Sequence, residues 1–468
     1  MGREIEGFRE EIAAVDTEML KLFKKRMTLS RKIGDLKRRD SLEIVDYKAE
    51  SSVLERAERI ARDEDLDLDL AKRLVSSFIQ ESVHIQSQRP KNRAEYLYSI
   101  FEKAETLKDQ GQKLIRLDVG EPDLTVPQQV KDTLCMSLYK NEHIGYVSSK
   151  GLLELRQAIA SMLNGRYGTD LKANQVLITP GGKFSIFSAI LSMISQEDRA
   201  IIPEPTWPVY GNVVRLAGGR QDILHTSFEN EWDIDMSKLI EMLQVHPKLL
   251  ILCSPNNPSG KVFDENMLRE MVEATRKAGG YVLADEVYES YASVPTDSIL
   301  QVADSNFIYV NTFSKRYGMT GWRIGYVVSD SDIVSRIQSI LQLSVTCVPE
   351  FIQYAALSAL TMEQEVYDEY ARKMQRRVNL VCNELDKLPV KYVRPEGGMY
   401  VYPRAREDDF DSKVFACRLL EDKGIAITPG EAFGDYPEHF RIALGTCEED
   451  IREGIRGIGE SLQSWLKK

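Results

Sequence analysis

The chain has 468 residues, 43% hydrophobic, 8% aromatic and 28% charged, the balance of a water-facing globular protein of two or three domains, not a disordered or fibrous one. A formal net charge of -11 disfavours a sequence-independent nucleic-acid binder, because phosphate backbones reward a basic surface. No apolar run approaches the roughly 18 residues of a membrane span, and the charged start MGREIEGFREEI is unlike a signal peptide, so a cytoplasmic protein with no membrane partner is expected.

Apolar residues recur three and four apart at Ile5, Phe8, Ile12, Val15, Met19, Leu22, Leu29, Ile33 and Leu36. That spacing predicts one amphipathic helix, on the order of 50 Å long, whose seam meets another helix. Arg26 breaks the seam between Leu22 and Leu29, and eleven steps of about 100° return Lys37 to the same face. Buried cations need anions. The period fails between Asp40 and Asp46, and a second helix starts near Val53, Leu54 and Ala57. The acidic DEDLDLD stretch then supplies an N-cap for a third helix bearing Leu70, Leu74, Val75, Phe78 and Ile79. Ser82 and Gln86 continue that face with polar groups. One long helix and two shorter ones cannot cover the seam, so the all-helical unit, residues 1–90, is expected to dimerise by helix exchange.

The first proline, Pro90, lies in the basic linker QSQRPKNR, and a second domain, 91–468, begins there. From Leu114 onward the β-rich runs NQVLIT, LLILC, YVLA, FIYV and RIGYVV alternate with helical segments. The alternation predicts an α/β domain with a mostly parallel sheet that binds its ligand where strands end. Six scattered cysteines without a CxxC pair, and five histidines without ligand spacing, predict neither disulfides nor a metal.

Five features follow predicted strands. ITPGGK leads into an apolar helix, so the amides of Gly182 and Lys183 point at an anion. EPTWPVY puts Trp207 in a proline-bracketed loop, where an indole can stack on a flat ligand or sit in the core. SPNNPSG holds Asn257 in a tight turn, and YVLADEVY ends an apolar strand with Asp285, a carboxylate needing a cationic partner, three residues before Tyr288. FIYVNTFSKRYGMTGWRIGY places Lys315 between an apolar strand and a turn, where a lysine can have its pKa lowered and form a Schiff base, with Arg323 eight residues on. Anion cradle, indole, carboxylate and lysine together suit a planar phosphorylated aldehyde with a basic ring nitrogen, pyridoxal phosphate.

The motifs DVGEPD, HIGYVSSKG, TPGGK, EPTWPVYG, SPNNPSGKV, LADEVYE, NTFSKRYGMTGWRIGY and FRIALGT, from about Ala94 to Leu466, resemble a fold-type I aminotransferase of the aspartate and aromatic family. The resemblance implies an α/β pyridoxal-phosphate transferase fold, with a large cofactor-binding part at about 140–345 and a smaller α+β part from 91–139 and 346–468. It implies that Lys315 bonds the cofactor and moves the substrate's α-proton, and that Asp285 pairs with the ring nitrogen. It also implies Asn257 and Tyr288 at the phenolic oxygen, Trp207 on the ring face, and Gly182, Lys183, Thr312 and Arg323 at the phosphate, with Tyr146 reaching the neighbouring subunit's phosphate. Arg441 would bind the substrate α-carboxylate, and Gly120 would let the backbone approach it.

FREEIAAVDTEMLKLFKKRMTLSRKIGDLK and FIQESVHIQSQ resemble the all-helical chorismate mutases. That resemblance implies Arg9 from the partner chain and Arg26 holding substrate carboxylates, Lys37 and Gln86 stabilising charge on the breaking ether oxygen, and Glu50 and Ser82 positioning. Ala49 stands where the family often has arginine before the glutamate. The joint expectation is a bifunctional homodimer that converts chorismate to prephenate and transfers an amino group from glutamate or aspartate to prephenate or an aromatic keto acid. Two alternatives stand beside it: an aspartate or broad-range aminotransferase with a non-catalytic dimerisation or regulatory module, and a carbon–sulfur lyase on the same fold.

Overall fold

A computed structural model describes residues 2–39, 47–87, 93–140, 143–406 and 410–465. The chain divides into two compact units, residues 1–92 and 93–468.

The first unit is helical: α1 (Gly2–Arg39), α2 (Tyr47–Asp63) and α3 (Leu68–Ser87). The acidic stretch caps α3 as expected, with the Leu70 amide donating to Asp67 Oδ1 at 2.7 Å. Within one chain α1 packs through Phe23, Met27 and Ser30 rather than through the seam, and the Phe23 and Phe78 rings lie 5.3 Å apart. The seam residues Ile5, Phe8, Ile12, Val15, Met19, Leu22, Leu29 and Ile33 remain 47–64% exposed.

The second unit is built on seven strands: β1 (Val176–Thr179), β2 (Arg199–Glu204), β3 (Arg220–His225), β4 (Leu249–Cys253), β5 (Tyr281–Asp285), β6 (Phe307–Thr312) and β7 (Gly325–Ser329). Their order is β1-β7-β6-β5-β4-β2-β3. All neighbours are parallel except β7, which is antiparallel to both β1 and β6. Strands β1, β4, β6 and β7 are buried along their whole length, the signature of a sheet covered on both faces. Alternation along β5 sends Leu283 into one core and Val282 into the other. Strands β2 and β3 were not among the predicted runs: a proline and charged ends disguise β2, and β3 is a half-exposed edge strand.

Three helices position the site: α4 (Arg93–Asp109), α5 (Gly182–Met193) and α6 (Val209–Leu216). A smaller set of short strands pairs residues 400–401 and 428–429 with 440–443. The architecture is an all-helical segment followed by a mostly parallel α/β fold. Among the described residues no helix is long and apolar enough to cross a membrane.

Candidate active site

Asp285, the last residue of β5, is buried. Desolvation raises its carboxyl to about 6, tempered by the Tyr210 hydroxyl, which donates to Oδ2 at 2.6 Å. The expected cationic partner is thus replaced in its immediate contacts by a phenol from α6; the Lys315 charge acts on the carboxyl only as a weaker favourable influence. Tyr210 was missed in the sequence, although it stands three residues after Trp207 in EPTWPVYG. Lys315 follows β6, and its ammonium donates to the Gly120 carbonyl and lies 5.6 Å from the Tyr288 ring centroid. Burial lowers the amine to about 8 against the opposing Glu121 carboxylate. The Tyr291 hydroxyl fixes the Lys315 carbonyl at 2.6 Å.

Between β1 and α5 the chain turns at Gly181, φ 87°. A Cβ there would lie 2.8 Å from Arg323 Nη2, so only glycine allows the guanidinium so near the backbone. Gly182 and Lys183 open α5, and their N–H groups have no carbonyl one turn back to receive them. Thr312 Oγ1 donates to the Ile324 carbonyl at 3.0 Å and shares a hydrogen bond with Ser314 Oγ at 2.9 Å, beside this turn. The Lys183 side chain goes elsewhere: its ammonium donates to Tyr98 Oη at 3.2 Å and lies 5.5 and 5.4 Å from the Tyr98 and Trp207 ring centroids. Trp207 meets Tyr210 edge to face at 5.6 Å.

At the other end Arg441 is buried. Its Nη1 donates to Asn257 Oδ1 at 3.0 Å, and its Nη2 donates to the Asp118 carbonyl at 2.6 Å and Thr428 Oγ1 at 3.2 Å. Its Nε is buried without a partner. The guanidinium lies 4.4 Å from the Tyr400 ring centroid, and Tyr400 Oη is 2.8 Å from Tyr288 Oη. Sequence reasoning missed Tyr400, whose contact to Tyr288 crosses 112 residues.

One cavity of about 500 Å³ brings together Gly120, Gly182, Lys183, Trp207, Asn257, Asp285, Tyr288, Thr312, Lys315, Arg323 and Arg441. Tyr146 lies outside it and is 89% exposed. Free amides and a guanidinium suit a phosphate, a buried carboxyl suits a basic ring nitrogen, and a desolvated amine suits an aldehyde. These residues fit pyridoxal phosphate.

In the helical unit Arg26 and Ser82 meet. Arg26 Nη1 donates to Ser82 Oγ and to the Phe78 carbonyl at 2.8 Å, Ser30 Oγ donates to Ser82 Oγ at 3.1 Å, and burial lowers the Arg26 pKa. The seam cation therefore rests on neutral oxygens within the chain rather than on the expected anion. Lys37 is half-buried on α1, whereas Arg9 is exposed and paired with Glu6 at 3.4 Å. The side chains of Glu50 and Gln86 lie outside the described residues.

Fold and cavity together define a pyridoxal-phosphate enzyme of fold type I. The family model "Aminotransferase class I and II" matches residues 112–458, and the chain belongs to this family. The model "Chorismate mutase type II" matches residues 8–87, so a chorismate-mutase-like domain precedes the aminotransferase domain. The chain is 34% identical to an aspartate aminotransferase of Thermotoga maritima over 368 residues, covering 77% of this chain and 95% of the relative. It is 31% identical to a probable aspartate/prephenate aminotransferase of Aquifex aeolicus over 377 residues, 78% of this chain and 95% of that one. The crystal structure of the Thermotoga maritima aspartate aminotransferase matches with a TM-score of 0.74 at 31% identity, covering 80% of this chain and all of that one.

Proposed function

We propose that the 93–468 unit is an aminotransferase of aspartate type and broad acceptor range, moving an amino group from aspartate or glutamate to an α-keto acid. The observation that carries this reading is the convergence of a desolvated lysine, a buried acid and a buried arginine on one cavity. Pyridoxal phosphate, when bound, supplies an electron sink for charge developing on the substrate α-carbon. The amides of Gly182 and Lys183, with Thr312 and Arg323, would hold the phosphate, and Tyr146, exposed in one chain, would reach it from a second copy in a homodimer. Asp285, with its pKa at about 6, is ionised at neutral pH and would keep a proton on the ring nitrogen. Trp207 would cover the ring face, and Asn257 and Tyr288 would hold the phenolic oxygen.

Arg441 binds the α-carboxylate as a planar fork, its direction set by Asn257, Thr428 and the Tyr400 ring. The Gly120 backbone lies close by, where a Cβ would strike Tyr400. Lys315, with an amine near 8, has roughly a tenth of its population unprotonated at pH 7. It can therefore take a proton from the α-carbon and return it.

A second reading, for the helical unit, is chorismate rearrangement to prephenate, supported by the adjacency of Arg26 and Ser82 and by the match to the type II mutases. Arg9 of a second chain and Arg26 would hold the carboxylates, Lys37 and Gln86 the developing charge, and Glu50 and Ser82 the orientation. Prephenate, itself a keto acid, would then be an acceptor for the second site in a bifunctional cytoplasmic enzyme of aromatic amino acid synthesis.

One experiment tests both readings. Aspartate and glutamate are offered to the full chain with 2-oxoglutarate, oxaloacetate or prephenate, and chorismate loss is followed in the same preparation. Amino transfer with at least one pair is expected, and Arg26→Ala should abolish chorismate loss while transfer persists. No transfer with any pair would refute the first reading. Chorismate loss absent from the wild type, or equal in the variant, would leave the helical unit a non-catalytic module.

A further inference from the structure

A second cavity of about 520 Å³ lies within the 93–468 unit and shares no lining residue with the one that holds Lys315. Its charged lining groups are Arg166, Glu289, Arg316 and Asp368. Two of them satisfy each other: Glu289 Oε2 accepts from the Arg166 guanidinium and from Tyr167 Oη at 3.0 Å. The Arg316 guanidinium is mostly buried, yet it lies 3.7 Å from Glu289 Oε1, beyond hydrogen-bond length. Asp368, half-buried near the start of the helix Gln364–Leu385, accepts from the neutral Gln364 amide at 2.8 Å and makes no ion pair among the described residues. One cavity thus holds a loosely paired cation and an anion with no cationic partner.

Ser290 lines the same cavity, and its Oγ is buried without a hydrogen-bond partner among the described residues. A buried hydroxyl left unpaired costs free energy that a ligand oxygen would relieve. Met162, Leu360 and Met362 are half-buried on the wall, and the two thioethers can adapt to the shape of an apolar group. The volume is that of a small-molecule site. An anion alone would meet Asp368 as a like charge, and a cation alone would meet Arg316 in the same way. A zwitterion answers both.

The geometry points to this cavity as a binding site for a free α-amino acid with a large apolar side chain. Arg316 and the Ser290 hydroxyl take the carboxylate, Asp368 takes the ammonium, and Met162, Leu360 and Met362 receive the side chain. Arg316 adjoins Lys315 in the chain, and Ser290 adjoins Tyr291, whose hydroxyl donates to the Lys315 carbonyl at 2.6 Å. A ligand gripped by both residues acts on the two segments that fix Lys315, so its occupancy should alter turnover. Binding at this cavity goes beyond the aminotransferase reading and does not depend on it.

The test titrates the full chain, loaded with pyridoxal phosphate and reduced with borohydride so that amino acids cannot react at the first cavity, with L-phenylalanine by calorimetry. Binding is expected, and 3-phenylpropionate, which lacks the ammonium, should bind more weakly. Arg316→Leu should raise the Kd of L-phenylalanine roughly tenfold or more. Asp368→Asn, a change at a half-buried position that guards against a folding defect, should raise it likewise and leave that of 3-phenylpropionate unchanged. A second readout is kcat of the unreduced chain at saturating aspartate and 2-oxoglutarate, where competition at the first cavity vanishes. Added L-phenylalanine should change it about twofold or more in the wild type and not in Asp368→Asn. No binding by the wild type, or binding that both variants leave unchanged, would overturn the site. A measurable kcat that L-phenylalanine does not move would overturn its link to Lys315. A chain that binds as stated yet transfers no amino group would overturn the aminotransferase reading alone.

Discussion

Replacing Tyr210 with phenylalanine removes a single oxygen, the one that donates to Asp285 Oδ2 at 2.6 Å, and leaves the ring in place. A hydrogen bond to a buried carboxylate contributes about 1.5–3 kcal/mol, equivalent to roughly 1–2 pH units in carboxyl acidity. Burial pushes Asp285 up to about 6, with the Tyr210 hydroxyl as the largest of the groups that hold it down, ahead of the Val287 amide and the Lys315 charge. Without it the carboxyl should titrate at about 7–8. At pH 7 the ionised fraction would drop from roughly nine-tenths to about a quarter. Because the ionised acid is what engages a protonated ring nitrogen, pyridoxal phosphate should bind about fourfold more weakly at pH 7 and almost normally by about pH 9. Equilibrium titration of the cofactor-free full chain, followed by absorbance between pH 6 and 9, measures this. The ratio of variant to wild-type Kd cancels the cofactor's own titration. A ratio that does not vary with pH would refute the role given to the Tyr210–Asp285 contact.

Glu286, the neighbour of Asp285 on the opposite face, is buried and pushed up to about 8, with the Ile299 amide donating to it at 2.8 Å. A carboxyl raised in the folded state keeps its proton while the unfolded chain loses it, so stability should decline as pH rises from about 4.5 to about 8. Glu286→Gln keeps the acceptor and should remove that decline, gaining on the order of 3–5 kcal/mol at pH 8 and little near pH 5. Urea unfolding at both pH values checks this, and parallel pH dependence of variant and wild type would contradict it. At Gly120 an added Cβ would lie 1.9 Å from Tyr400 Oη. Gly120→Ala should therefore displace Tyr400 from Arg441 and raise the KM for amino acids roughly tenfold or more; an unchanged KM would contradict the placement.

The long period of α1 was legible because one face repeats from Ile5 to Leu36, about nine turns, and part of the cavity cluster was legible because its members close strands. Lys315, Asp285 and Asn257 each follow an apolar run that reads as a buried strand. What the sequence concealed is long-range. Tyr210 reaches Asp285 across 75 residues and Arg441 reaches the Asp118 carbonyl across 323, and no local pattern records either contact. The Lys183 side chain was also unreadable, because its helix-opening backbone and its outward ammonium serve different places. Arg26 seemed to require an anion, since spacing cannot show that a serine hydroxyl and a carbonyl would stand beside it.

The most direct test of the whole account is chemical. The full chain is mixed with pyridoxal phosphate, reduced with borohydride, digested and mapped by mass spectrometry. The account predicts a phosphopyridoxyl group on Lys315, lost in Lys315→Ala together with amino transfer. A label carried instead by Lys183 or by scattered surface lysines, or none on position 315, would contradict it.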